Sequence, residues 1–340
     1  MGLVACTTGP RTASRRQALA MAAAALLPVA VPFTPAHAQA QAFPVRPVKI
    51  IVPQPPGGGF DFVARVLGDR LGRTLGQGVV VENRPGSGTL VGTDLVAKAA
   101  PDGYTLLTGS VSNLALNMGL YPNLPYDSLR DFEVLGLAVS YSYTLMARKD
   151  LPFQSLRDLV TNAKTNPRKF TYASAGNGSG QHVIAAALWH LAGVELVHVP
   201  YRGAQAAYQD LLGNRVDLFF DLSPTARTQI DAGLVRALAM SGANRNPMHP
   251  DVPTLTETGV AALELESWFG LFAPARTPVE VQDRLRTELA RVTTAPEVME
   301  LFVKAGGTPL NLNVSQARAL VRRDVERWTR LVREIGIKPE

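Results

Sequence analysis

Three glycines followed by a carboxylate are the first residues in the chain that could carry chemistry. They are Gly57, Gly58, Gly59 and Asp61, which follow a proline-rich segment and precede a helical pattern. Glycines let the backbone approach a ligand closely, and the free N–H groups at a helix start carry about half a positive charge, so this arrangement suits an anion. The alternative is a tight turn in which Asp61 is an ordinary N-cap residue.

A second glycine-rich turn spans residues 175–180, between a strand pattern and a helix pattern that begins at Val183. Ser179 lies at the expected helix start, where a hydroxyl group commonly meets free N–H groups. His182 lies beside the turn, and both ligand contact and a structural role are open for it. The chain therefore has two turns of the type that binds anions.

The motifs of two common enzyme classes are incomplete. Residues 57–62, with Glu82 about twenty residues later, imitate a dinucleotide-binding fingerprint, but Phe62 occupies the position of its third glycine. Asn177 and Gln181 occupy the positions that glycines fill in the nucleophile elbow of hydrolases. These departures argue against nucleotide binding and against a serine nucleophile.

Acid–base and metal chemistry have little support in the sequence. Asp61 and Asp221 could form a carboxylate pair, but nothing in the sequence brings them together. The histidines lack metal-ligand spacing, and we expect His190 and His198 to be structural. We therefore predict a protein that is not an enzyme and that uses neither a metal nor a cofactor.

Short apolar runs that alternate with helical patterns must position these turns. Residues 50–52 form a β-branched run, and the next segment has an apolar residue at every fourth position from Val63 to Leu75. This alternation predicts an α/β fold with a parallel sheet. Because ligands bind beyond the carboxyl ends of such strands, the Gly57 turn, the Arg84 loop and residues 110–113 should gather there.

The first 40 residues have the pattern of a secretory signal peptide. Arg15 and Arg16 precede an apolar run, and small residues permit cleavage near Ala38 or Ala40. Paired arginines are typical of twin-arginine export, although Ala18 stands where a bulky residue is usual, so Sec export is the alternative. We expect a soluble protein in the periplasm.

Charge and cysteine content narrow the possible partners. The formal charge of +6 falls to +3 after cleavage, because residues 1–38 contain three arginines and no acid. The surplus is scattered and no basic run alternates with aromatic residues, so we expect no nucleic-acid partner. Cys6 is the only cysteine and precedes the cleavage site, which excludes disulfides and thiolate catalysis in the mature chain.

Eight ordered motifs between residues 43 and 340 resemble those of one family, the Bug or TctC-type extracytoplasmic solute receptors of tripartite tricarboxylate transporters. The motifs are IIVPQPPGGGFDFVARVL, VVVENRPGSGTLVG, AAPDGYTLL, LPYDSLRDF, TYASAGNGSGQH, VHVPYRGAQAAYQDLL, VDLFFD and GIKPE.

This resemblance implies a two-lobed periplasmic binding protein fold, of type II-like topology, with the ligand cleft between the lobes and no catalysis. Lobe one comprises residues 41–147 and 266–340, and lobe two comprises residues 148–265. The glycine turns, one from each lobe, would offer helix-start N–H groups to an organic acid. The implied partners are a small carboxylate and the permease subunits, and we expect the receptor to be a monomer.

The residues expected to bind the ligand come from the two turns and from nearby strand ends. They are Gln54, Pro56, Gly57, Gly58, Gly59, Phe60, Asp61, Ser110, Ser174, Asn177, Gly178, Ser179, Gln181, His182 and Asp221.

Two of these residues depart from the family pattern. Gln54 replaces a common aromatic residue, and Phe60 replaces a small or hydroxyl residue. Phe60 could bring an aromatic face to the cleft mouth and favour an aromatic carboxylate, or it could pack against the neighbouring lobe. The open functional alternatives are a carboxylate sensor subunit, an acid-processing or nucleotide-binding enzyme, and a scaffold or adhesin.

Overall fold

The computed structural model describes residues 43–337, together with residues 1–3, 5 and 9. The chain separates into Met1–Gln41 and Ala42–Glu340, and the fold presented below is that of the second unit. The residues that predict a signal peptide, including Arg15, Arg16, Ala38 and Ala40, lie outside the described residues. Among the described residues, no helix combines the length and apolar character needed to cross a bilayer.

Strands and helices alternate along the described chain, as the sequence predicts. The strands are β1 (Val48–Val52), β2 (Val79–Asn83), β3 (Thr105–Ser110), β4 (Phe132–Arg148), β5 (Thr171–Ser174), β6 (Val197–Pro200), β7 (Leu218–Leu222), β8 (Val235–Met240), β9 (Glu266–Pro274) and β10 (Thr308–Pro309). The helices are α1 (Gly59–Leu75), α2 (Leu90–Ala97), α3 (Asn117–Leu120), α4 (Leu156–Thr165), α5 (Gly180–Ala192), α6 (Ala204–Leu212), α7 (Ser223–Asp231), α8 (Val279–Thr293), α9 (Pro296–Lys304) and α10 (Val314–Glu334). A 3₁₀ turn (Ser87–Thr89) precedes α2, and a π-helical turn (Ser112–Leu116) precedes α3.

The strands form one mixed sheet with the order β2-β1-β3-β9-β4-β7-β5-β6, and β8 and β10 also pair with β4. Strand β1 pairs in parallel with β2 on one side and with β3 on the other. Strand β5 likewise pairs in parallel with β6 and with β7. The 17-residue strand β4 joins these groups: up to Ser142 it pairs with β9, and from Tyr143 onward it pairs with β7. We call the β1–β3 side the first sheet half and the β5–β7 side the second.

Helix α1 shows how the apolar pattern generates packing. Val63, Leu67, Leu71 and Leu75 are all buried, which confirms the predicted stripe. The apolar pattern predicts a start near Asp61, and the helix begins two residues earlier, at Gly59, with Gly58 as its N-cap. The alternative that Asp61 is the N-cap residue is therefore wrong. The carboxylate instead lies in the first turn of the helix.

Three elements depart from the sequence predictions. The sequence pattern predicts a strand over residues 141–147, whereas strand β4 already begins at Phe132. The π-helical turn with α3, and helix α7, were not predicted as helical. In α7 only Ser223 and Ala226 are buried, so the segment has no apolar stripe that would reveal a helix.

Candidate ligand-binding site

A cavity of about 780 Å³ lies where turns from both sheet halves meet. Its walls are the turns that follow β1, β2, β5 and β6, together with Tyr121 after α3. We call it the main cavity; its lining residues are Pro53, Gln54, Pro55, Pro85, Gly86, Ser87, Gly88, Thr89, Leu90, Tyr121, Ala175, Gly176, Asn177, Pro200, Tyr201, Arg202 and Gly203. It therefore occupies the place where parallel strands present their carboxyl ends.

The first glycine turn (residues 57–59) is held by Asp61. Asp61 Oδ2 accepts hydrogen bonds from Gly57 N at 3.0 Å and from Arg65 Nε at 2.9 Å. Asp61 Oδ1 accepts from Arg65 Nη2 at 2.9 Å and from Asn83 Nδ2 at 3.0 Å. Because both oxygens already have two donors, Asp61 is committed to shaping the turn and is poorly placed to bind a ligand amine.

The same contacts decide the charge of Asp61. Burial acts to raise its pKa, but the hydrogen bonds from Arg65, Gly57 and Asn83 and the positive charge of Arg65 hold that pKa below its ordinary value. Asp61 is therefore an anion near neutral pH. Its negative charge lies at the N-terminus of α1, where the helix dipole also favours it.

Free N–H groups remain at the start of α1. Within the described part of the chain, the backbone N–H groups of Gly58, Gly59 and Phe60 have no hydrogen-bond acceptor. Gly57, Gly58 and Asp61 line a second cavity of about 490 Å³, which also includes Arg65 and which we call the lateral cavity. The first glycine turn thus retains the unpaired donors of a helix start.

Most backbone N–H groups of the second glycine turn (residues 175–180) already donate hydrogen bonds within the protein. Gly178 N donates to His182 Nδ1 at 3.2 Å, and Ser179 N donates to the Gly176 carbonyl at 3.1 Å. Gly180 N donates to Ser112 Oγ at 3.2 Å, and Ser179 Oγ caps α5 by accepting from His182 N. The two turns look alike in sequence but differ in the number of N–H groups they leave free.

His182 lies in an aromatic stack under the second glycine turn. Its ring is parallel to that of His198, with 4.0 Å between centroids, and His198 in turn stacks on Tyr172. Burial and the neighbouring His198 lower the pKa of His182 to about 3. A neutral ring is consistent with Nδ1 accepting the Gly178 N–H, and it gives His182 a structural role in this conformation.

Asp221 and Gln181 form a buried pair at the end of β7. Gln181 Nε2 donates to Asp221 Oδ1 at 2.9 Å, and Thr225 Oγ1 donates to Asp221 Oδ2. Burial raises the pKa of Asp221, whereas its hydrogen bonds act in the opposite direction. Asp61 and Asp221 therefore belong to separate networks, and they line no common cavity.

The structure brings only some of the predicted residues to a cavity. Gln54 and Asn177 line the main cavity, and Gly57, Gly58 and Asp61 line the lateral one. The remaining predicted residues line neither of these two cavities: Pro56, Gly59, Phe60, Ser110, Ser174, Gly178, Ser179, Gln181, His182 and Asp221. Several of these residues support the turns. For example, Ser174 Oγ contacts His198 Nε2 at 2.7 Å, and Ser110 Oγ accepts from Ser112 N.

Phe60 does not present its ring at the mouth of a cleft. Its side chain is 2% exposed and packs edge-on against Phe269 of β9, with 5.0 Å between centroids. This contact lies within the segments assigned to lobe one. Phe60 therefore gives no support to an aromatic ligand.

The main-cavity side chains that sequence reasoning missed include Leu90, Tyr121, Tyr201 and Arg202. Arg202 and Tyr201 follow β6, so their position at the carboxyl end of a parallel strand was a usable signal. Tyr121 reaches the cavity from a helix end that has no periodic pattern.

Most of the chain is similar to proteins of a known family. A sequence profile described as "Tripartite tricarboxylate transporter family receptor" matches residues 63–337. The UPF0065 protein in the tcbD-tcbE intergenic region of Pseudomonas sp. (strain P51) is 41% identical over 315 residues, covering 90% of this chain and 92% of that protein.

Two solved structures share the fold. The periplasmic binding protein BugD has a TM-score of 0.83 and 36% identity, covering 88% of this chain and 100% of its own. The R. palustris protein Rpa4515 with adipate has a TM-score of 0.83 and 32% identity, with the same coverage of both chains. These likenesses confirm the predicted α/β periplasmic binding protein fold.

Proposed function

Since this chain belongs to the tripartite tricarboxylate transporter receptor family and is a periplasmic solute-binding receptor, we propose that it captures a small carboxylate in the main cavity and presents it to permease subunits. The observation that carries the proposal is the cavity of about 780 Å³ between turns of both sheet halves, with Arg202 in its wall. The adipate held by Rpa4515, a relative of the same fold, supports an organic acid as the ligand.

The electrostatics of the cavity suit an anion. Arg202 is exposed and forms no ion pair or hydrogen bond with other described residues, so its guanidinium is free to pair with a carboxylate. Asn177 also lines the cavity, and its Oδ1 atom is buried without a partner. A ligand in the cavity would therefore meet a free cation for its carboxylate and, at Asn177 Oδ1, an acceptor for a hydroxyl or amine donor.

We propose that residues 41–147 with 266–340 and residues 148–265 act as two lobes that close on the ligand. Strand β4 changes its partner from β9 to β7 at Ser142 and Tyr143, which supports a hinge there. Contacts between the proposed lobes already exist at the turns: Gln205 Nε2 donates to the Gly57 carbonyl at 3.0 Å. Closure around a cleft is a common form of ligand capture.

Export through the predicted signal peptide, with cleavage near Ala38 or Ala40, would deliver the receptor to the periplasm. We infer that it acts there as a monomer beside the permease subunits of its transporter. The signal pattern in residues 1–40 supports export.

A thermal-shift panel on protein purified from the periplasm tests this proposal. Aliphatic dicarboxylates, aromatic carboxylates, amino acids and NAD would each be added over a concentration series. We expect at least one carboxylate to raise the melting temperature saturably, in line with micromolar affinity of about −8 kcal/mol. If no carboxylate raises the melting temperature, the proposal is wrong.

A further inference from the structure

We propose that the preferred ligand is a monocarboxylate with an aromatic body, whose carboxylate pairs with Arg202 and whose ring lies against Tyr121 and Tyr201. This inference rests on the proposed function of the main cavity and narrows its ligand class.

The charge of the cavity wall favours a single carboxylate. Of the side chains that line the main cavity, Arg202 alone is charged, and no acid is present. A monoanion would be balanced by this one guanidinium. When the proposed lobes close on the ligand, the second charge of a dicarboxylate would lose water without gaining a side-chain cation beside it, which is costly.

The rest of the wall is suited to a flat apolar body. Four prolines contribute to it, Pro53, Pro55, Pro85 and Pro200, and Leu90 adds a further apolar side chain. A volume of about 780 Å³ falls within the range of roughly 300–1,000 Å³ that is typical of pockets for ring-bearing small molecules. The cavity thus has room and apolar surface beyond what a short aliphatic diacid would use.

The rings of the two tyrosines are more available to a ligand than their hydroxyl groups, which already contact other residues of the protein. Tyr201 Oη donates to Asp210 Oδ2 at 2.8 Å, and burial with this contact raises the pKa of Tyr201 to about 12. Tyr121 Oη lies 3.5 Å from the Ser87 carbonyl, and burial raises its pKa as well. Both side chains are therefore neutral, and their aromatic faces and edges remain for contact with a ligand ring.

Isothermal titration calorimetry with benzoate, cyclohexanecarboxylate, succinate and adipate tests the inference. We expect benzoate to bind most tightly, because it alone combines one charge with an aromatic ring. Arg202→Gln should weaken benzoate binding by about tenfold to a hundredfold, the range for a lost charged hydrogen bond, and Arg202→Lys should restore part of it. Tyr121→Leu should weaken benzoate more than cyclohexanecarboxylate, because leucine keeps apolar bulk without a ring.

Arg322→Gln is the matched control, since Arg322 is exposed on α10 and lines neither cavity. It should leave benzoate affinity unchanged, and circular dichroism should show that every variant is folded. Tight binding of succinate or adipate with no response to benzoate would overturn this inference while leaving the proposed function intact. Absence of binding by every carboxylate would overturn both.

Discussion

At the scale of single residues, Asp61 has the clearest structural task. Its two carboxylate oxygens accept from the Gly57 backbone, the Arg65 guanidinium and the Asn83 amide, and so tie the first glycine turn to α1 and β2. Its side chain is almost fully buried, whereas that of Arg65 is about half exposed. The contribution of Asp61 to stability therefore lies mainly in the hydrogen bonds that its buried carboxylate accepts from partly buried donors.

Replacing Asp61 with alanine should lower the free energy of unfolding by about 2 kcal/mol, because the Gly57 and Asn83 donors lose their acceptor. Urea denaturation monitored by circular dichroism would measure the change. Asp69→Ala is the control: Asp69 is exposed and pairs with Arg70 and Arg73 on the surface of α1, so its loss should cost about 0.5 kcal/mol or less. Equal effects of the two substitutions would contradict this assignment.

The buried imidazole of His182 predicts a specific pH dependence. Its pKa is about 3 in the folded protein and about 6.5 in the unfolded chain, so the unfolded state binds an extra proton between these values. The stability from neutral His182 is complete above pH 6.5 and is lost as the pH falls toward 3. In His182→Gln, the slope of unfolding free energy against pH in this window should be smaller by up to about 1.4 kcal/mol per pH unit.

Urea denaturation at a series of pH values between 4 and 7 measures this slope. His190→Gln is the matched substitution, because His190 is exposed near the C-terminal end of the same helix. A slope in His182→Gln that equals the wild-type slope would show that His182 is not held neutral by burial.

The residue types of the binding turns could be predicted from the sequence, but their partners could not. Both glycine turns were identified from local composition, because helix starts and glycines are short-range features. Whether an N–H group is free can depend on a side chain that is distant in the sequence: Gly180 N donates to the hydroxyl of Ser112, which lies 68 residues earlier. Local patterns contain no information about such contacts.

At the scale of secondary structure elements, the close approach of two turns explains why residue 88, in the wall of the main cavity, is a glycine. Gly88 has φ +61°, and a Cβ atom there would lie 2.1 Å from the Asn177 carbonyl oxygen. No side chain fits at that distance. The turn after β2 and the second glycine turn can therefore meet only because residue 88 is glycine.

Gly88→Ala should consequently weaken carboxylate binding by about tenfold or more, since the two turns could no longer close on the ligand. Gly193→Ala is a matched control, because Gly193 also has positive φ, +64°, but has open space around its Cβ position. Both variants should lose about 1 kcal/mol of stability from backbone strain, and only Gly88→Ala should lose affinity. Calorimetry that finds equal affinities in the two variants would contradict this explanation.

Elements with strong periodicity were predictable, and those defined by tertiary packing were not. The stripe from Val63 to Leu75 marks α1 clearly because one face of the helix is apolar. Strand β4 was found only in its second part, since Gly136 and the Ser140–Ser142 region interrupt its apolar pattern. Those residues are nevertheless in a strand because β9 pairs with them along most of their length.

At the scale of the whole molecule, one sheet supplies both sides of the main cavity. The turns after β1 and β2 come from the first sheet half and the turns after β5 and β6 come from the second, while β4 runs through both. Alternation of strands and helices was enough to predict an α/β fold with ligand contacts at strand ends. The juxtaposition of Tyr121, Tyr201 and Arg202 depends on how the halves meet, which no local pattern encodes.

Native mass spectrometry of the periplasmic protein, titrated with benzoate, adipate and NAD, is the most direct test of the central claim that the main cavity captures a small carboxylate. We predict a saturable complex with one carboxylate per chain in the wild-type protein, and loss of that complex in Arg202→Gln but not in Arg322→Gln. A chain that binds no carboxylate and instead binds NAD would contradict the account and would favour the nucleotide fingerprint at residues 57–62.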